Sequence, residues 1–361
     1  MALSRPQIKT FWLVLNYQCN NRCNGCYAHD TEFQGKPMDF NLAVKISEML
    51  KLLGAKDCLL IGGEPTLYRE LDSLIKVGSA TGIAYKLVTN GRKLKDKDYF
   101  QRLVEAGLAH VSISIEGSTS EIHNQITGVN SFRDTMSAIS NAVKINISFN
   151  TLLTISSQNF FEIVPLTKML SEMGVKNILF NIGLPSPGLG CQTVEHNDFV
   201  VPPQKVADII SDSYRELKTL GIKVKFFATI PLCLFSEELL NKMIEDDFIT
   251  DGIHCHIYYG TGVVFEPNGN VLPCTHFVKR PLFNIFKEKI ETVDDFCRVW
   301  YSERGMHGSF QKAIWKYPCQ NCKTCKYWGK CIGGCPFLWA MYNPQTVLAG
   351  KEVSKCLKRK N

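Results

Sequence analysis

The stretch CNNRCNGC, residues 19–26, decides how this chain is read. It places Cys19, Cys23 and Cys26 in a Cys-x3-Cys-x2-Cys run. Three thiols are one short of the four ligands that a closed zinc site or an ordinary cubane iron–sulfur cluster takes. Either His29 completes a zinc site, or the missing ligand leaves one iron open to a substrate or cofactor. Position favours the second. The run directly follows FWLVLN (residues 11–16), which reads as a buried strand, and in parallel barrels the loops after the strands carry the active site.

Outward from that loop one unit repeats. Apolar runs at 57–63, 85–91, 110–115, 145–153 and 176–182 predict further strands. Helical periodicity predicts helices at 40–54, near 70–81, and at 96–106, 131–144 and 160–173. In the first helix Leu42, Ile46, Met49, Leu50 and Leu53 share a face, with Asp39 as cap and Gly54 as stop. Six strand–helix units with right-handed crossovers give an α/β fold, a partial (β/α)6 barrel. A doubly wound open sheet competes, but the glycines sit at several strand ends rather than in one G-x-G-x-x-G fingerprint. GLPSPGLG (183–190) breaks the rhythm, so the barrel is expected over 1–183 and a polar connecting region over 184–254. Cysteines then crowd into 255–361, as in a small metal-stapled domain with little core of its own.

Composition bounds the function. With 45% hydrophobic and 21% charged residues the chain is globular, and no apolar run reaches membrane-span length. Fifteen cysteines without a secretory signal point to metal or redox chemistry in a reducing compartment, the cytoplasm, rather than to disulfides. A net charge of +7 fits a solvated surface, or a face for an acidic electron-transfer protein or an acidic peptide. No nucleic-acid module and no membrane segment is expected.

One strand after the cysteine run comes GGEP, residues 62–65. Its glycines let a ligand approach the backbone, Glu64 offers a carboxylate and Pro65 stiffens the turn. The pair of motifs resembles the radical S-adenosylmethionine (SAM) enzymes, over essentially the whole chain. The resemblance implies that Cys19, Cys23 and Cys26 hold a 4Fe-4S cluster whose open iron is chelated by SAM. Electron transfer then cleaves SAM to methionine and a 5′-deoxyadenosyl radical. It also implies that Gly62, Gly63, Glu64 and Pro65 hold the SAM ammonium, a carboxylate meeting a cation. Polar strand ends, Asn90 in TNG (89–91) and Ser114 and Glu116 in SISIEG (112–117), are expected to contact SAM or substrate, with Ser112 a weaker choice. Relatives often have Asp where Glu116 stands, in some as a substrate-facing base; a solvated strand-end acid is the alternative. Asn150 and Asn159 are candidates for the adenosine pocket. Two departures stand out. Gly25 replaces the usual aromatic before the third cysteine, a packing role that Tyr27 is expected to share, and the Arg usual near Thr127, which grips the SAM carboxylate, is missing.

The C-terminal cysteines resemble a SPASM domain. Cys255, Gly269 and Cys274 match its first half, and Cys322-x2-Cys325-x5-Cys331-x3-Cys335 with Cys356 matches the rest. Paired cysteines also suit a zinc ribbon. The resemblance assigns Cys322, Cys325, Cys331 and Cys356 to a distal auxiliary cluster, and Cys255, Cys274 and Cys335 to a nearer one. Cys319 fills the nearer cluster's fourth place, or that iron stays open. Three 4Fe-4S clusters are thus expected in all. Cys58, Cys191, Cys233 and Cys297 read as unliganded thiols.

The resemblance implies an enzyme that abstracts a hydrogen from a peptide or protein side chain, as in maturases of ribosomally made peptides (RiPPs) and in sulfatase-maturing enzymes. A small molecule (a sugar, a cofactor precursor or a tetrapyrrole) is the rival substrate, and a non-enzymatic iron–sulfur scaffold the third reading. Cys19 falls so early that no N-terminal peptide-recognition module is expected before it. A flavodoxin or ferredoxin is the expected electron donor.

Overall fold

The structure, a computed structural model, describes residues 5–28, 36–185, 199–227, 230–249 and 255–348. Its frame is the expected alternation. Parallel strands β1 (Thr10–Val14), β2 (Asp57–Ile61), β3 (Ala84–Thr89), β4 (His110–Ser114), β5 (Phe149–Ile155) and β6 (Asn177–Ile182) lie side by side in chain order. Between them run α1 (Phe40–Leu52), α2 (Leu71–Thr81), α3 (Lys97–Glu105), α4 (Ser120–Thr127), α5 (Phe132–Ile145) and α6 (Ile163–Glu172). Asp39 caps α1 by accepting from the Leu42 N–H at 3.0 Å, and Leu42, Ala43, Ile46 and Leu50 face the sheet. In β4, Val111 and Ile113 pack into the helix-covered core, as Ile115 does beyond it. His110, Ser112, Ser114 and Glu116 alternate with them, half-buried, on the barrel's inner face.

The structure differs from the expected strand map in three places. β5 begins at Phe149 rather than near 145, because α5 runs through Ile145. Asn146 then closes α5 at φ 59°, a left-handed conformation that asparagine tolerates. The stretch expected as a polar connector carries α7 (Pro203–Thr219), a seventh parallel strand β7 (Lys223–Phe226) and α8 (Glu237–Glu245). Pro203 suits a helical first turn, and Val206, Ile210, Tyr214 and Leu217 bury one face.

The third difference is at the other edge. After the short α9 (His256–Tyr259), β8 (Gly262–Phe265) pairs parallel with β1, and β9 (Asn270–Leu272) and β10 (Phe283–Asn284) extend the sheet antiparallel. The result is one open ten-stranded sheet, β10-β9-β8-β1-β2-β3-β4-β5-β6-β7. Phe265, Phe283, Phe296 and Trp300, the last two on α10 (Val293–Trp300), are buried in the barrel's own hydrophobic core. Phe296 stacks on Trp300 with ring centres 5.2 Å apart. The first part of the cysteine-rich region is therefore rooted in that core, and short turns dominate after Trp300. Among the described residues no helix is long and apolar enough to cross a membrane.

Candidate cluster and cofactor site

The cysteine loop is pinned on both sides. Toward β2, Gly63 N–H donates to Asn16 O at 2.8 Å and Glu64 N–H to Gln18 O at 2.7 Å. A Cβ on Gly62 would stand 2.2 Å from Asn16 O, and one on Gly63 2.3 Å from Gln18 O. The two glycines thus admit the chain's own backbone, where the sequence suggested room for a ligand. Toward α4, Arg22 N–H donates to Thr127 O and Asn24 N–H to Ile126 O, both at 2.9 Å.

The three thiols lie on this pinned loop. Burial pushes the Cys19 thiol up to about 11, with Glu64 and Cys26 adding to it against the Asn21 N–H. Cys23 is also driven up by burial, then by Glu116, Cys26 and Cys19. The loop carries all three thiols, but among the described residues no three His, Cys, Asp or Glu side chains are set to hold a metal ion.

Glu64 is 1% exposed. Its Oε1 accepts from Thr66 N–H (3.0 Å), Thr66 Oγ1 (2.5 Å) and Thr89 Oγ1 (2.6 Å), and its Oε2 from Asn90 N–H (2.8 Å). Burial still raises its pKa above the ordinary carboxylate value. Asn90 passes the restraint on, donating from Nδ2 to Asn20 Oδ1 at 2.7 Å. Pro65 opens the short turn Pro65–Leu67 and is buried. Asn16 Oδ1, buried at the end of β1, has no hydrogen-bond partner among the described residues.

The remaining candidates divide. Ser114 and Glu116 share the inner face with Ser112, so alternation does not separate the two serines. Burial pushes the Glu116 carboxyl up to about 7 against a 3.4 Å contact from Thr154 N–H. Asn150 is engaged within the sheet: Oδ1 meets His110 Nε2 at 2.7 Å and accepts from Ser112 Oγ at 2.9 Å, and Nδ2 donates to Thr151 O. Asn159 is not a pocket residue. It is fully buried and saturated, accepting from Ser156 N–H and Oγ and donating to Glu116 O and Thr154 O. Tyr27 lies beside His276, ring centres 6.0 Å apart, next to Cys274. Phe199 instead fills the place beside Gly25, where a Cβ would stand 2.6 Å from its ring.

The other candidate thiols lie in the C-terminal part. Burial pushes the Cys335 thiol up, and Cys255 and Cys274 add to it. Cys319 accepts the Cys322 N–H on its carbonyl at 3.1 Å, at the start of the short turn Gln320–Thr324. Cys356, Cys191 and His29 lie outside the described residues. Sequence reasoning also missed a tie between the regions: the Tyr17 hydroxyl donates to the buried Glu266 at the end of β8. No local signal marks Asn16, Phe199 or Glu266, because each acts through a contact distant in sequence.

Residues 13–185 match the model of the radical SAM superfamily, and this part of the chain is a radical SAM domain. Proteins of that superfamily use a 4Fe-4S cluster and SAM. The chain is similar to the Fe-coproporphyrin III synthase of Methanosarcina barkeri, 27% identical over 207 residues, 56% of this chain and 51% of that protein. The match thus spans about half the length of that relative. Among solved structures, Streptococcus suis SuiB bound to precursor peptide SuiA superposes with a TM-score of 0.70 at 17% identity, covering 94% of this chain and 74% of that one. The enzyme anSMEcpe with bound AdoMet and Cp18Cys peptide gives 0.69 at 21% identity, covering 91% and 89%. At these identities the likeness is one of fold.

Proposed function

We propose that this chain is a radical SAM enzyme that abstracts a hydrogen from a peptide or protein side chain, and that its C-terminal part is a SPASM-type auxiliary-cluster region. The observation that carries the radical chemistry is the loop of Cys19, Cys23 and Cys26, held at the sheet's C-terminal edge by its backbone hydrogen bonds, beside the buried Glu64. Three thiolates suit a cubane with one open iron. When bound, the cluster and SAM supply the electron and the 5′-deoxyadenosyl radical.

The chain's own residues bind and orient. Glu64 Oε2, with one donor, keeps acceptor capacity, and Asn16, whose Nδ2 donates to Glu64 O at 3.2 Å, has an unpartnered Oδ1; both oxygens suit an ammonium. Glu116, with its carboxyl near neutrality, is suited to hold or take a substrate proton on the inner face. Asn159 and His123 hold its backbone, through Glu116 O at 3.2 Å and Glu116 N–H at 3.2 Å. Cys255, Cys274 and Cys335 would hold the nearer auxiliary cluster, and Cys322, Cys325 and Cys331 the distal one.

The peptide class is supported by superposition over more than nine-tenths of the chain on structures that contain peptides. A small-molecule substrate is the second reading, favoured by the similarity to Fe-coproporphyrin III synthase. The test is anaerobic incubation of enzyme, SAM and reductant with the product of any small open reading frame beside the gene. Deoxyadenosine formation with a change in peptide mass, lost when the leader segment is removed, is the expected result. Turnover of a tetrapyrrole without any peptide change would move the assignment to the second reading. Absence of SAM cleavage would leave only an iron–sulfur scaffold.

A further inference from the structure

The positive charge of this chain is not spread evenly. Residues 304–361 hold eleven Lys and Arg against one acid, Glu352, whereas residues 1–303 hold thirty against thirty-three. At the start of that basic part the structure gathers a group of rings. We propose that Tyr258, Tyr259, Trp315, Tyr317 and Trp328, with the lysines beside them, form a docking face for an acidic, extended segment of the peptide substrate. The inference rests on the peptide-substrate reading above.

Three segments distant in sequence build the face. The short α9 brings Tyr258 and Tyr259, and the Trp315 Nε1–H donates to Tyr258 O at 2.8 Å. The Tyr259 hydroxyl donates to Gly329 O, which fastens the turn after Trp328 beside α9. Ring centres lie 5.1 Å apart for Tyr258 and Tyr259, and 5.9 Å for Tyr258 and Trp315. They lie 6.4 Å apart for Tyr258 and Trp328, and 4.5 Å for Tyr317 and Trp328. Tyr259, Trp315 and Tyr317 are nonetheless 44%, 50% and 44% exposed. These three are half of the large apolar side chains exposed among the described residues.

Shape and charge select the occupant. The four ring pairs meet at 78°, 45°, 82° and 42°, so they leave slots between them rather than one flat surface. Aromatic side chains bury about 150–250 Å² each, so three half-exposed rings offer about 300 Å², short of the about 800 Å² that each partner of a stable protein complex covers. That area suits a few residues of an extended peptide, the ligand that aromatic-lined grooves take. Lys312, Lys316 and Lys330 flank the rings in sequence and are exposed. Glu303 lies 3.6 Å from Lys312, an exposed pair of little strength, and Lys316 has no acidic partner among the described residues. No Asp or Glu falls between positions 304 and 351 to compete. Slots between rings inside a rim of ammonium groups fit a peptide in which Asp or Glu alternates with apolar residues.

The test reads binding to the full chain, without SAM or reductant. A dye-labelled peptide that alternates Glu and Leu should bind the parent at low salt, followed by fluorescence anisotropy, and weaken steeply as salt is raised. The same peptide with Gln in place of Glu should bind several-fold more weakly. Lys316→Glu and Tyr317→Ser, both at exposed positions, should each lower the affinity several-fold. Lys168→Glu, exposed on α6, should leave it unchanged. Melting of each variant checks the fold. No binding to the parent, or equal binding by the parent and both face variants, would overturn the assignment. So would an equal loss in Lys168→Glu, which would reduce the effect to net charge. A flavodoxin bound by the parent and released by Lys316→Glu, with peptide binding untouched, would make the face a protein dock instead. A dimer that Lys316→Glu dissociates would make it a contact between copies. Because no turnover is read, these outcomes are separate from the peptide-substrate reading, which falls only with the turnover assay above.

Discussion

The two cysteine-rich regions of this molecule are built on opposite plans. At the N-terminal end three thiols sit within eight residues, on a loop whose backbone is fastened to β2 on one side and α4 on the other. At the C-terminal end the thiols are spread over short elements far apart in sequence. In the first region spacing is geometry, because one short loop carries every ligand. In the second, the thiols from Cys255 to Cys335 lie on many separate short elements, so spacing alone does not set their geometry.

The largest effect should come from breaking the first plan while sparing the second. Cys23→Ala leaves two thiolates, too few to hold a cubane, so SAM cleavage should vanish. On the auxiliary-cluster reading about eight irons should remain on the C-terminal cysteines, because its ligands lie outside the loop. Iron analysis beside a deoxyadenosine assay reads both at once. Loss of all iron would mean that the two regions fold or load as one unit.

The same contrast sets what could be read from the sequence. The strand–helix rhythm was legible because each unit has its own period, and Leu42, Ile46 and Leu50 bury one helical face as their spacing implies. The β8–β10 extension was not, since Val263 and Phe265 look like any short apolar run until β1 offers them an edge. The thiols and Glu64 were legible as residues, but their surroundings were not. The Gly62 and Gly63 pair reads as a ligand cradle, yet the Asn16 and Gln18 carbonyls fill that space. Asn159 reads as a pocket amide, yet it is spent on the turn that holds Glu116.

A smaller effect would sharpen the role of Glu64. Glu64→Gln places an amide N–H where Oε2 now accepts from Asn90, and it removes the charge available to an ammonium. Loss of one charge-assisted hydrogen bond costs about 1.5–3 kcal/mol, or roughly ten- to a hundredfold in SAM affinity. The loop cluster should still form, and saturating SAM should recover part of the activity. Unchanged SAM affinity would reduce Glu64 to a loop staple.

His123 supplies a pH test of the barrel side. Glu116 N–H donates to its Nδ1, so the proton on Nε2 faces Ser131 Oγ at 3.0 Å and the ring is neutral. Burial pushes it down to about 4. The unfolded chain takes up a proton first, near pH 6.5, so the stability is present above that value and lost as pH falls toward 4. Between pH 7 and 5 the loss should be about 2 kcal/mol. His123→Asn keeps an acceptor near the Nδ1 position and should remove about that much from the pH dependence of urea unfolding of the metal-free protein. An unaltered pH dependence would show that His123 is protonated in the folded state as well.

The smallest expected effect asks at which region electrons enter. An open cleft of about 380 Å³ borders the N-terminal loop at Asn20 and is lined by Arg92, Lys93, Lys95 and Arg102 around Tyr99. Asp134 is paired with Arg92 at 3.4 Å and with Lys95 at 2.9 Å, and Asp96 also lines the cleft, so its excess of positive charge is modest. Arg92 also donates to Asn20 O, which links this basic surface to the loop that carries Cys19. An acidic flavodoxin docking here would be steered by charge that salt screens over about 10 Å at 0.1 M. Turnover with flavodoxin should fall several-fold as salt is raised, and turnover with dithionite should not. Exchanging Lys93 and Arg102 for Glu should reproduce the loss at low salt without changing the iron content. Those exchanges leave the Asp134 pairs intact, so they test docking and not loop structure. Equal salt sensitivity with both reductants, or full flavodoxin-driven turnover in the exchanged protein, would remove the cleft as the entry point and leave the C-terminal clusters as the alternative.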